Sequence, residues 1–415
     1  MNRIAIIGGG ASGMTAALTA REAGAEVVLF EHNEKLGKKL AATGNGKCNL
    51  SNGVLTDDCY RGGDAAFVKQ VLNACPPEAV REYLEKHGLM LKEKRGYYYP
   101  RSEQAASVVT WFASRLASAG VTVRCSVEVN KVTKERKGFK VSYRDLTKEA
   151  QGQETFDRVI LATGGLAGQN LGAGPFGYDT AKAFGHVLNP MFPALVQLVA
   201  KDKNLKTLSG VRTDAEVHLY TKLENVENEY TEKGEVLFAD YGVSGIAVMQ
   251  LSRYAGDVLR RKGEAVIEFD FMPELSEEEL VKVLCDKLDS CANGTSEDAL
   301  CTLLPKKLLY VVFLRAGLKA DTPSAKLSIP DIEKLSKEMK AFRLPVLSTK
   351  DFTMAQVTAG GVTVSGIHPK TMESKLQKGL YLTGELLDVD GTCGGYNLQF
   401  AFATGILAGT AAGHF

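Results

Sequence analysis

A glycine cluster set directly behind a short apolar strand constrains this chain more than any other feature. Ile4-Ala-Ile-Ile7 is β-branched and apolar, the pattern of a strand buried on both faces of a parallel sheet. Gly8-Gly-Gly10-Ala-Ser-Gly13 follows, then a helix over Met14–Ala23 with Gly24 at its C′ position. Ala25-Glu-Val-Val-Leu-Phe30 forms a second strand closing on Glu31, 18 positions beyond the last glycine. In such a βαβ unit Gly8 permits the tight turn, Gly10 lets backbone approach a diphosphate, and Gly13 lets helix and strand pack closely. The helix start turns unpaired N–H groups and its positive dipole end toward that anion, while Glu31 accepts hydrogen bonds from a ribose. A dinucleotide-binding fold is expected.

The fingerprint alone does not separate NAD from FAD. Two further segments favour FAD. Phe156-Asp-Arg-Val-Ile-Leu-Ala162 is an apolar strand running into Thr163-Gly164-Gly165, small residues where backbone passes a flat ligand. Near the C-terminus, Gly379-Leu-Tyr-Leu-Thr-Gly384 is another strand ending in glycine, with an acid at Asp388. Gly394-Gly-Tyr-Asn-Leu-Gln399 then opens a small-residue helix over Ala401–Gly409, suited to a ribityl chain and a flavin pyrimidine edge. A C-terminal segment that returns to complete the cofactor site is how two-dinucleotide-fold flavoproteins are built.

Between these ends the character changes. Pro76–His87 and Gln104–Ala119 read as helices; Val121–Val129, Lys131–Lys134 and Phe139–Arg144 read as a meander. After Pro190, short alternating segments at Val211–Tyr220, Glu235–Phe238 and Ala265–Phe271 suggest a β-rich insertion. Ser276 is an N-cap with an acidic first turn for a helix through Leu288, and another helix runs over Asp331–Met339 behind Pro330. The expected fold class is α/β: a discontinuous Rossmann-like two-dinucleotide-binding FAD domain over 1–190 and 354–415. A β-rich inserted domain (191–270 and 338–353) and a small helical subdomain (271–337) interrupt it.

The chain resembles the FAD-dependent flavoproteins that include the BaiN-like and aminoacetone-oxidase-like proteins. The resemblance spans nearly the whole sequence and rests on Lys35–Ser51 (KLGKKLAATGNGKCNLS), Tyr241–Gly245, Gly360–Val362 with Pro369–Ser374, and Gly384 through Gln399. Lys47 stands where the family more often has Arg, and Ile246 where many relatives have Pro. The resemblance implies that Gly8, Gly10, Ala11, Ser12 and Gly13 hold the diphosphate, with Glu31 and its neighbour His32 at the ribose. It also implies that Lys38, Thr43, Gly44, Asn45, Gly46, Cys48 and Asn49 run alongside the flavin, with Val129 at the adenine. Ala162, Thr163 and Gly164 would cover the adenosine side, with Asp179 also at the cofactor. Gly384, Glu385, Asp388, Gly395, Tyr396, Asn397, Leu398 and Gln399 would close over the ribityl chain and ring. For Lys38 and Lys39 a solvated basic turn is an equal alternative.

A flavin itself carries hydride, so no catalytic acid or base is assigned. Eight cysteines include no Cys-x-x-Cys pair and none joins the six histidines at zinc-ligand spacing, so no metal is expected and the thiols read as reduced. A Cys48–Cys393 pair across segments and two packed thiols stay open as alternatives. Tyr97-Tyr98-Tyr99-Pro100-Arg101 either lines a substrate cleft or packs as an aromatic strand end. With 50 basic and 49 acidic residues no field recruits nucleic acid or a membrane surface, and neither is expected as a partner. No signal peptide or apolar stretch of membrane-spanning length is evident, which reads as cytoplasmic. The leading expectation is an FAD oxidoreductase acting on a small organic substrate, an enone- or steroid-like reductase fed by NAD(P)H. No second Gly-x-Gly-x-x-Gly marks a separate nicotinamide domain, so NAD(P)H would bind transiently over the flavin. An oxygen-using amine (aminoacetone-like) oxidase, an RNA-modifying flavoenzyme and a non-catalytic flavin sensor are the alternatives. Oligomeric state is left open.

Overall fold

The computed structural model describes residues 2–414, which divide into two compact units, residues 2–192 with 356–414, and Pro193–Ala355. In the first unit β1 (Arg3–Ile7), α1 (Ala11–Glu22) and β2 (Glu26–Phe30) form the expected βαβ. β1 lies at the middle of a five-stranded, all-parallel sheet, between β2 and Arg158–Leu161. Thr122–Arg124 extends the sheet beyond β2, and Leu380–Leu382 pairs with Arg158–Leu161 on the far side. Ile4 and Ile6 are fully buried, as their unbroken apolar run requires.

The last helix, Tyr396–Gly413, packs against α1 through a stripe of glycines one turn apart. A Cβ on Gly405 would lie 2.5 Å from the Ser12 carbonyl oxygen, and one on Gly409 would lie 1.9 Å from Thr19 Oγ1. Only hydrogen atoms fit there, so the two helices pack in close backbone contact. This contact carries the C-terminal segment back to the glycine loop of β1–α1.

Local details differ from the sequence reading. Val121–Val129 is not one strand: Ser126 takes φ +54, and Thr122–Arg124 and Val127–Lys134 belong to different sheets. Phe156–Ala162 is likewise divided, with Phe156 ending the strand Ala150–Phe156 and the parallel strand starting at Arg158. The Ala150–Phe156 strand is not evident from sequence because its polar residues show little of the alternation that marks a buried face. Helix Ala65–Ala74, capped by Asp64, is a further element that the sequence reading lacks.

The second unit is a closed six-stranded barrel with helices. Its strands run, in spatial order, Leu198–Ala200, Gly242–Ser244, Val226–Ala239, Arg212–Leu223, Glu264–Asp270 and Phe342–Thr349. The long hairpin of Arg212–Leu223 with Val226–Ala239 extends well beyond the short segments expected from sequence. Its outer residues are charged and pair across the strands, as Lys222 with Glu227 and Lys233 with Glu216, so they carry no apolar signal. Phe238, Phe269, Phe271 and Phe342 cluster inside the barrel. Helix Glu277–Ser290 has the Ser276/Glu279 capping box, and helix Ile329–Lys340 begins beside Pro330. Helix Ile246–Arg260 is an addition to the β-rich character expected of this insertion.

Candidate functional site

Between Ile7 and Ala11 the chain reverses within three glycines. Gly8 adopts φ +107, and a Cβ there would strike the Ala162 carbonyl oxygen at 2.3 Å. Gly10 instead faces open space, with nothing within 4 Å of where a Cβ would sit. It caps α1 without a side-chain hydrogen bond and no acid sits in the first turn. The N–H groups of Ala11, Ser12 and Gly13 therefore lack intrahelical partners and aim past an open cradle, an anion site of the kind helix starts provide.

Glu31 is buried and closes the loop from beneath. Its Oε2 accepts from Gly9 N at 2.7 Å, and its Oε1 accepts from Asn33 N and Asn33 Nδ2 at 2.8 Å each. A carboxylate has about four lone-pair sites, so one acceptor position remains on Oε2. His32 lies exposed with Nδ1 3.2 Å from Glu31 Oε1. Val129 is buried on the strand whose Val127 N–H bonds the Glu31 carbonyl, so it borders the same edge.

The Lys38–Asn49 stretch contains the most contorted backbone in this region. Gly44, Asn45, Gly46 and Cys48 all have positive φ, between +52 and +81. A left-handed Cys is costly, by roughly 1–2 kcal/mol, and is held because its side chain is fully buried and its N–H bonds the Thr43 carbonyl. Burial pushes the Cys48 thiol up to about 11, against a smaller opposing effect of Thr43. Thr43 Oγ1 donates to the Leu40 carbonyl at 2.7 Å. Lys38 Nζ lies 3.5 Å from Asn33 Oδ1, while Lys39 forms a 2.6 Å ion pair with Glu385. Glu385 also accepts from Thr358 N, so its carboxylate braces three chain segments.

At the other end, Ala162 is buried, Thr163 crowds Gly177, and Gly164 takes φ +73 beside open space. Gly384 packs on Ser12, its N–H bonding Thr404 Oγ1 at 3.0 Å. Asp388 is buried and accepts from Asn189 Nδ2 at 2.6 Å. Gly395, at φ +94, is the N-cap of the last helix, and a Cβ there would meet Asn49 Oδ1 at 2.8 Å. Asn397 spans Gly391, accepting from its N–H and donating to its carbonyl, both at 2.8 Å. Tyr396 OH donates to the Val54 carbonyl, and Leu398 packs against the core. Asp179 stands exposed on the helix Phe176–Ala183, whose Tyr178 OH donates to the Glu385 carbonyl at 3.3 Å.

Two buried amide atoms around the last helix have no partner. Gln399 uses Oε1 to accept from Ser51 Oγ at 2.7 Å, leaving Nε2 unpaired, and Asn49 Oδ1 is unpaired too. An orphan donor and an orphan acceptor, beside a helix N-terminus without a side-chain cap, are what the mixed donor–acceptor edge of a flavin pyrimidine would satisfy. With the open cradle at Gly10 they show that these residues fit FAD. No disulfide joins any of the eight cysteines among the described residues. Asn33, Ser51, Asn189 and Thr358, which hold the site residues in place, are absent from the set the sequence singles out. Each joins segments far apart in the chain, Asn33 by donating to the Leu171 carbonyl, but the place of Asn33 two residues past Glu31 is also a readable signal.

The chain matches the HI0933-like protein Rossmann domain over residues 2–411. The chain belongs to this family. A 3-dehydro-bile acid delta(4,6)-reductase from Clostridium scindens is 41% identical over 99% of both chains. Ribosomal RNA dihydrouridine synthases are 29% identical (Escherichia coli, 96% of this chain and 95% of the relative) and 31% identical (Haemophilus influenzae, the same shares). Among solved structures, 3-ketosteroid delta1-dehydrogenase from Sterolibacterium denitrificans covers 100% of both chains with TM-score 0.52 at 11% identity, a likeness of fold. Membership makes this chain a Rossmann-type FAD oxidoreductase, as the cradle and the returning C-terminal segment indicate. Among the described residues no helix is long and apolar enough to cross a membrane.

Proposed function

We propose that this family member saturates carbon–carbon double bonds conjugated to a carbonyl, on a small enone of steroid type, with NAD(P)H as hydride source. The observation that carries this reading is the 41% identity, end to end, with a delta(4,6)-reductase of a 3-dehydro-bile acid. The dihydrouridine synthases are named for a related outcome, since the bond saturated in uridine is also conjugated to a carbonyl. FAD, when bound, supplies two-electron hydride transfer. The product gains a hydride at the carbon distal to the carbonyl and a proton at the proximal carbon, and NAD(P)H is oxidised to NAD(P)+.

The chain's own residues place and bias that chemistry. The α1 N-terminus would hold the diphosphate and Glu31 the adenosine ribose. Asn49 Oδ1 and Gln399 Nε2 would take the pyrimidine edge, with Ser51 fixing the Gln399 amide so that its nitrogen points away from Ser51 Oγ. The uncapped start of the last helix favours negative charge near that edge, which lowers the cost of reduction. Lys39, Glu385 and Thr358 brace the loops on either side.

The test is the visible spectrum of the FAD-loaded protein, followed anaerobically as NADH or NADPH is added. Bleaching of the oxidised-flavin band, reversed by a 3-keto-Δ4 steroid, is the expected result. A band that persists with both nicotinamides but bleaches with aminoacetone would overturn the reductase reading in favour of an amine oxidase. A second reading, reduction of uridine in RNA, is favoured by the two dihydrouridine synthase relatives, against the balanced charge of the chain. It predicts a gain of two hydrogens in ribosomal RNA, read by mass spectrometry.

A further inference from the structure

Beside the Thr43–Cys48 loop a cavity of about 200 Å3 is lined by Lys47, Lys94, Arg95, Tyr97, Tyr99 and Glu103. Three of the six are cations. Glu103, the one acid among them, is paired with Lys92 and also feels the charges of Lys94 and Lys47 across the cavity. The other carboxylate of this hairpin, Glu93, accepts from Gly96 N. Lys47, Lys94 and Arg95 are exposed and take part in no ion pair among the described residues. They form a concentration of positive charge on a chain that is otherwise neutral.

The same rim is apolar on one side. Val54 and Tyr97 are large hydrophobic side chains left exposed, Val54 at 59%, and Val54 lies 3.6 Å from where a Cβ on Gly96 of the hairpin turn would sit. Tyr97 also reaches the flavin-side turn: a Cβ on Gly394 would lie 3.3 Å from its ring. Leu50 N–H bonds the Tyr98 carbonyl, which ties the hairpin to the end of the Lys38–Asn49 stretch. Cations and exposed apolar groups thus share one mouth next to the residues placed at the ring.

Arg95 is held at the hairpin tip against local preference. Arg95 and Gly96 both have positive φ, +56 and +85, the pair of conformations that two-residue hairpin turns give to Asn-Gly. An Arg there carries a strain that an Asn would relieve.

We propose that this cavity is the subsite for the anionic tail of the substrate, a carboxylate on a rigid apolar body, whose tail meets Lys47, Lys94 and Arg95. Val54 and Tyr97 cover the apolar face next to it. This assignment rests on the enone-reductase reading and adds to it the substrate class: an amphipathic enone acid rather than a neutral enone. A charge-assisted contact to each cation strengthens binding in the ground and transition states alike, so its loss raises KM more than it lowers kcat.

The experiment uses the FAD-loaded full chain, with a 3-keto-Δ4 steroid carboxylic acid and its methyl ester as probes. Arg95→Asn, which suits the turn, is combined with Lys94→Gln. The unaltered protein is expected to favour the acid by about tenfold or more in kcat/KM. The double variant should lose most of that preference through KM, keep its turnover of the ester, and keep or raise its melting temperature. Equal kcat/KM for acid and ester before mutation overturns the subsite while leaving the reductase reading intact. So does an equal loss for both probes in the variant. If neither probe is reduced, the reductase reading fails and the subsite with it. If a uridine-containing RNA oligonucleotide is reduced instead, with a salt dependence that the double variant weakens, the cavity takes phosphate and the carboxylate assignment is overturned.

Discussion

Replacing Glu31 by Gln removes one charge and turns one acceptor oxygen into a donor beneath the glycine loop. In the native protein Oε2 accepts from Gly9 N at 2.7 Å and Oε1 accepts twice from Asn33. All three partners are donors, so a Gln amide must point its NH2 at one of them. Keeping its oxygen on Asn33 leaves the Gly9 N–H unmatched, at a cost of about 1–3 kcal/mol in the folded state. The free lone pair on Oε2, the position assigned to the ribose, disappears as well. A hydrogen bond to a charged group contributes roughly 1.5–3 kcal/mol, which corresponds to FAD bound about 10- to 150-fold more weakly. Fluorescence quenching of FAD titrated into apoprotein measures that loss, and melting without FAD measures the cost in the fold. A dissociation constant within about threefold of the native value, with the apoprotein melting temperature lowered, would refute the ribose assignment and leave Glu31 as a loop brace.

Gly409→Val should destabilise the protein by roughly 3 kcal/mol, the upper part of the overpacking range, because its Cβ would lie 1.9 Å from Thr19 Oγ1. Gly174→Ala, which meets open space, should stay within about 0.5 kcal/mol, and chemical denaturation compares the two. Burial of Glu154 works to raise its pKa, but hydrogen bonds from Arg124, Arg3 and Tyr143 outweigh it and pull it down to about 2 from 4.5. Its stabilising contribution is therefore complete above pH 4.5 and lost as pH falls toward 2. Glu154→Gln should melt lower at neutral pH and show a flatter acid limb between those values; parallel acid limbs would contradict the assignment. Cys48, buried and with its thiol pushed up to about 11, should resist iodoacetamide at pH 8 under conditions that label exposed Cys301, as read by peptide mass spectrometry.

Features written within a few tens of contiguous residues are legible from sequence. The β1–α1–β2 unit with Glu31 at its end is one, because strand, turn and helix chemistry all fall in one short run. The Ser276 N-cap with its acidic first turn and the helix at Pro330 are others, since each depends on residues within one turn of the helix start. The C-terminal glycine turn is placed by its own residue types. What that turn touches is not legible.

Only the folded chain brings Lys39 to Glu385, 346 positions away, or Ser51 to Gln399, 348 positions away. Neither partner carries a mark of the other, because such bonds form only after core packing has overcome the entropy of closing so long a loop. The same holds for barrel closure, where Phe342–Thr349 pairs with strands on both sides of it. Asn397 illustrates the division. Its identity and place in a glycine-rich helix start are plain from sequence, yet the structure shows both ends of its amide already bound to Gly391. Asn49 and Gln399, of equal standing in the sequence, keep a buried polar atom free. Residue type and local order determined that a dinucleotide cradle would form, while tertiary packing decided which of its polar atoms remain for the ligand.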